Sequence, residues 1–165
     1  MTTAALTVFA HGADRAGYER LWNAYLGART PIDEARFLRA VGGVPDVDLA
    51  TTTFDRILEG SIRTQDRAMV FARLLSSSAG PTVWRRAAER WETLLEAVPA
   101  VTHSRIVEGI SALSQPGVAD EVQVFLAAHP MPEAANAVRQ NLERLDANVR
   151  LRARQTPAVT AYFES

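Results

Sequence analysis

The 165-residue chain contains no cysteine and no lysine. The first absence excludes a disulfide framework, a thiolate nucleophile and a thiolate-ligated metal, and it suits a reducing compartment, so the expected location is the cytoplasm. The second leaves arginine as the whole basic complement of eighteen residues, which we read as codon bias in a GC-rich genome. Those arginines are interleaved with nineteen acids for a net charge of −1, so neither a nucleic acid nor an anionic membrane is an expected partner. No apolar run approaches the eighteen or so residues that cross a bilayer, and the first eleven residues lack the basic start and cleavage site of a signal peptide.

Histidine is also scarce. His11, His103 and His129 are the only three, and none belongs to a His-Glu-x-x-His pattern that would set two zinc ligands on one helical face. A Gly-x-Ser-x-Gly elbow and a phosphate-cradling glycine loop are missing too, and Gly42-Gly43 reads as a helix end. The acids lie along helix faces beside arginines, where solvated pairs are worth ~0.3–0.5 kcal/mol each. The chain by itself therefore reads as catalytically inactive.

What is present is helix punctuation. Asp14 opens a stripe of Tyr18, Leu21, Trp22 and Tyr25 at helical period. Thr30-Pro31-Ile32-Asp33 reads as cap, first-turn proline and first-turn acid, and Asp46 caps a helix carrying Leu49, Phe54 and Ile57. Further helices are expected over 65–75, from Gly80 to Val98, over 104–113, from Pro116 to His129, and from Pro132 onward. Thr156-Pro157 is expected to separate a terminal turn ending in Tyr162-Phe163.

Residues 1–13 read as an extended or disordered segment and 14–165 as one helical domain. The expected fold class is all-α, with about eight helices in antiparallel hairpins stacked as a HEAT- or armadillo-like α-solenoid. A compact irregular bundle is the other reading, because no strict repeat is visible.

Four markers stand in fixed order: Arg63-Thr64-Gln65-Asp66, Trp84 and Trp91 followed by Leu94, Val122 to His129-Pro130, and Leu142-Glu143 with Asn148. Over about a hundred residues they resemble the C-terminal helical domain of the aminopeptidase N family of zinc metallopeptidases, as in aminopeptidase A and the endoplasmic-reticulum aminopeptidases. The tail departs from that pattern, with Leu151 and Tyr162-Phe163 where the family carries tryptophans.

The resemblance implies a non-catalytic domain that caps the active-site chamber of a larger enzyme and controls peptide access. The parent would remove N-terminal residues from peptides, with zinc and the Gly-x-Met-Glu-Asn motif in a separate catalytic domain. The implied partners are that catalytic domain and peptide substrate. His103 and Arg105 are the candidate peptide contacts; they also read as solvent-facing polar residues at a helix start.

Arg63, Gln65 and Asp66 read as a capping and inter-helix hydrogen-bond cluster. Trp84 and Trp91, seven apart, read as core. A free-standing α-solenoid scaffold is the alternative function, and the excised domain is expected to self-associate weakly through apolar surface left uncovered.

Overall fold

The structure, a computed structural model, describes residues 3–164. Among these residues every regular element is helical. Ten α-helices run α1 (Thr3–His11), α2 (Arg15–Leu26), α3 (Pro31–Val41), α4 (Val47–Leu58), α5 (Thr64–Leu75), α6 (Gly80–Glu89), α7 (Trp91–Ala97), α8 (His103–Ile106), α9 (Val118–Ala128) and α10 (Ala135–Glu164). Three 3-10 segments, Ala100–Thr102, Val107–Ala112 and Pro132–Ala134, complete the chain.

The helices stack as two ladders. In one, α1 packs on α3, α3 on α5, α5 on α8 and the Val107–Ala112 segment, and these in turn on α10. In the other, α2 meets α4 through a buried hydrogen bond between Tyr18 and Thr53 (2.8 Å), and α4 packs on α6 and α7. That ladder continues to α9, where Phe125 meets Trp84 edge to face at 5.5 Å. Each hairpin takes one helix from each ladder, so the core is the continuous apolar layer between them, from Leu6 to Leu145. The stack of hairpins is the architecture the sequence announced.

Local chemistry explains where three of the helices begin. The carboxylate of Asp14 accepts from the Gly17 amide at 2.8 Å, and Asp46 accepts from Leu49 at 2.9 Å. The Thr30 hydroxyl accepts from Asp33 at 3.2 Å, with Pro31 at the first helical position. Gly109 permits a close crossing: a Cβ there would lie 2.5 Å from the Ala72 carbonyl oxygen, so only glycine lets the Val107–Ala112 segment lie flat on α5.

Four expectations need correction. The first segment is helix α1 from Thr3, not extended; residues 1 and 2 lie outside the described residues. Burying Leu6 and Ala10, one turn apart, overrides the low helix preference of its threonines and valine. The helix from Gly80 does not reach Val98 unbroken, because Arg90 (φ −124°, ψ 32°) divides α6 from α7. The segment expected as one helix over 104–113 is instead mostly 3-10. Finally, α10 runs through Pro157. The missing donor there frees one carbonyl on a stretch exposed from residue 150 to 164, where water satisfies it.

Candidate functional site

The family marker at the start of α5 is an ion cluster. Arg63 donates from Nε to Asp66 at 3.0 Å and also pairs with Glu34 on α3, so it ties two successive rungs of one ladder. No side chain caps α5, which corrects the capping part of the expectation: the Asp66 carboxylate is spent on Arg63. Gln65 is exposed beside this cluster. One turn on, Arg67 donates to the Ile62 carbonyl (2.8 Å) and the Ala97 carbonyl (2.7 Å), holding the ends of two loops together. Nothing in the sequence marked Arg67, since its acceptors are backbone oxygens.

Trp84 and Trp91 are core, and they meet despite the break at Arg90, with ring centroids 6.2 Å apart. Phe125 closes the group against Trp91 at 5.3 Å. On its outer side lies His129, stacked at 4.0 Å and 14°, with Nδ1 2.9 Å from the Phe125 carbonyl oxygen. Asn148 donates to the Ser111 carbonyl at 2.7 Å, locking α10 onto the Val107–Ala112 segment. These markers are structural joints between rungs.

The two candidate peptide contacts separate. His103 is buried: Nδ1 is 2.7 Å from a Glu133 carboxylate oxygen, and Nε2 lies 3.0 and 3.2 Å from the Val98 and Leu95 carbonyl oxygens. Burial pulls its pKa down, but the Glu133 hydrogen bond and the two carbonyls outweigh that and hold it above the usual imidazole value. Glu133 is held below the usual carboxylate range by the same hydrogen bond. Arg105, two residues on, is exposed and makes no hydrogen bond or ion pair among the described residues. Only Arg105 of the two can reach a ligand.

Two of the surface grooves bear on these elements. One, of about 430 Å³, crosses the first ladder over α1, α3, α5 and the Val107–Ala112 segment, with Arg39, Arg73 and Glu108 in its lining. The other, about 630 Å³, lies between α9 and α10; Leu126, Met131, Pro132, Val138 and Leu142 make an apolar floor, and Arg139, Glu143 and Asp146 the rim. Among the described residues no three histidine, cysteine or carboxylate side chains lie close enough to share a metal ion. The three histidines sit on different elements, and His103 has both nitrogens engaged, so these residues do not fit a zinc site.

A stack of helical hairpins whose marked residues join rungs defines an architectural helical domain. The chain belongs to the family described as the ERAP1-like C-terminal domain, which it matches over residues 1–147. It is similar to aminopeptidase M1 of Arabidopsis thaliana, with 26% identity over 143 residues, and to aminopeptidase M1-B of Oryza sativa subsp. japonica, with 26% identity over 140. Each match covers 84% of this chain but only 16% of the relative, so the chain corresponds to about one sixth of either protein.

Proposed function

We propose that the chain is the chamber-capping domain of a peptide-processing aminopeptidase, shaping access to an active site that lies in another part of the enzyme. The observation carrying this reading is the family membership over residues 1–147, together with relatives named as aminopeptidases. Zinc and the peptide-bond chemistry belong in this reading to the catalytic portion. The working compartment is the cytoplasm, in keeping with the cysteine-free composition.

The first ladder supplies the surface facing the peptide. Arg105 on α8 is the contact we assign, because its guanidinium is exposed and unpaired and can take a carboxylate through two parallel hydrogen bonds. His103 acts behind it, setting the position of α8.

The test is hydrolysis of aminoacyl-arylamides and of short peptides with acidic residues near the C-terminus. The chain is assayed alone and mixed with a separately made catalytic portion. The expected result is no turnover alone and a changed peptide preference on mixing. The Arg105→Glu variant is expected to raise KM for the acidic peptides by about ten- to a hundredfold, leaving arylamide turnover unchanged; one lost charge-assisted contact of ~1.5–3 kcal/mol has an effect of that size. A chain that neither binds the catalytic portion nor alters its preference is a free-standing scaffold instead.

A further inference from the structure

Among the described residues His103 is the one histidine with both ring nitrogens held inside the fold, and what surrounds it is all acceptor. Nδ1 faces a carboxylate oxygen of Glu133 at 2.7 Å. Nε2 faces two carbonyl oxygens, Val98 at 3.0 Å and Leu95 at 3.2 Å. A neutral imidazole has one N–H, so either tautomer would turn a lone pair toward a carboxylate or toward two carbonyls. Only the doubly protonated ring satisfies both sides.

The position of this ring in the fold gives its protonation a consequence. Leu95 and Val98 stand at the C-terminal end of α7, where backbone carbonyls are unpaired and a cation is favoured. Glu133 sits in the Pro132–Ala134 segment that leads into α10. His103 itself opens α8. One ring thus fastens three elements, and it does so at the floor end of the α9–α10 groove, beside Met131 and Pro132.

We infer that His103 is an imidazolium strut, and that its deprotonation unfastens the start of α10 from the turn between α7 and α8.

The charged groups around the strut are few. From the Pro132–Ala134 segment comes Glu133, the ionised group in contact with the ring. From α5 comes Arg67, whose guanidinium is committed to the carbonyl of Ala97, at the end of α7, and to that of Ile62, ahead of α5. Arg105 on α8 and Glu108 on the following segment are exposed and make no contact with the ring. On α10, Arg139 is paired with Glu143 and Asn136. Glu92 and Glu96 of α7 make no hydrogen bond or ion pair with His103.

The sign follows from both partners. The pKa of His103 is raised in the fold, so its contribution is complete below the unfolded value of about 6.5 and is lost as pH climbs through the folded value. That of Glu133 is lowered, so its share is present above about 4.3 and is lost on acidification through its folded value. The strut is closed between those two folded values and opens as pH rises through the upper one.

Nitrogen NMR of the imidazole rings in the full chain, from pH 5 to 9, tests this without any substitution. The expected result is a His103 ring that stays doubly protonated above pH 6.5, the ordinary imidazole value. In Glu133→Gln the His103 midpoint should fall toward that ordinary value. Amide exchange over residues 135–145 should quicken with pH more steeply in the native chain than in His103→Gln, once base catalysis is allowed for. A His103 midpoint at or below the ordinary imidazole value, or equal exchange slopes in the two proteins, overturns the inference.

Discussion

The side chains that hold this domain together divide by what their partners are. Trp84 is 1% exposed and meets Trp91 and Phe125, a contact its helical spacing already foretold because one helix face collects apolar side chains. Its truncation to alanine removes a large ring from the junction of α6, α7 and α9. The expected loss is ~3–5 kcal/mol, read as a lower urea midpoint with an unchanged slope. A loss below about 1 kcal/mol would mean that the cavity collapses freely and the ring cluster is not the joint between those helices. His103 and Arg67 were not legible in this way. Each takes partners about thirty residues off, Glu133 for the histidine and the Ala97 carbonyl for the arginine. A polar residue at a helix start looks solvent-facing until the chain returns. For His103 the signal was two polar residues of complementary charge in separate loops, with nothing in the sequence to pair them.

At the level of elements, caps were readable and breaks were not. Asp14, Thr30 and Asp46 cap as their types and positions indicated, since the interaction closes within three residues. The division at Arg90 carries no glycine or proline. What accompanies it is tertiary: Arg86 grips Asp55 of α4 with two nitrogens at 2.8–3.0 Å, and Arg90 lies 3.6 Å from the same carboxylate. Pro157 was misleading in the other direction, because its cost depends on whether the freed carbonyl is buried. The last fifteen described residues of α10, from Arg150, are exposed throughout. Deleting residues 151–165 is therefore expected to move the melting temperature by no more than about 2 °C, the scale of surface changes of ~0.5 kcal/mol. Far-UV circular dichroism would lose helical signal in proportion to the residues removed. A fall of many degrees would show that the tail packs on the body.

The whole molecule is a two-ladder stack, and arginine bridges its rungs repeatedly. Arg56 lies over the Trp22 ring at 3.9 Å and donates to the Tyr18 hydroxyl, Arg86 joins α6 to α4, and Arg85 joins α6 to Glu121 of α9 at 2.9 and 3.0 Å. The Arg85–Glu121 pair is exposed on both sides and adds little, while the Arg56 and Arg86 contacts are partly buried; the stack rests on its apolar layer and the arginines set register. Such a stack leaves apolar surface at its margins, here the groove between α9 and α10. Concentration-dependent self-association is the expected behaviour of the isolated chain, seen as a rising weight-average mass in sedimentation equilibrium. A constant monomer mass up to millimolar concentration would contradict it. Composition, periodicity and capping residues by themselves determined the all-helical class and most helix starts, because those depend on interactions within a turn or two of chain; that the hairpins stack in place of an irregular bundle was decided by packing between helices. Only the tertiary structure decided that residues 3–11 are helical, that α6 and α7 are separate, and that of the neighbours His103 and Arg105 the first is a strut and the second free. Each of those depends on which distant surface the chain folds against, and burial and pairing across thirty residues leave no local mark.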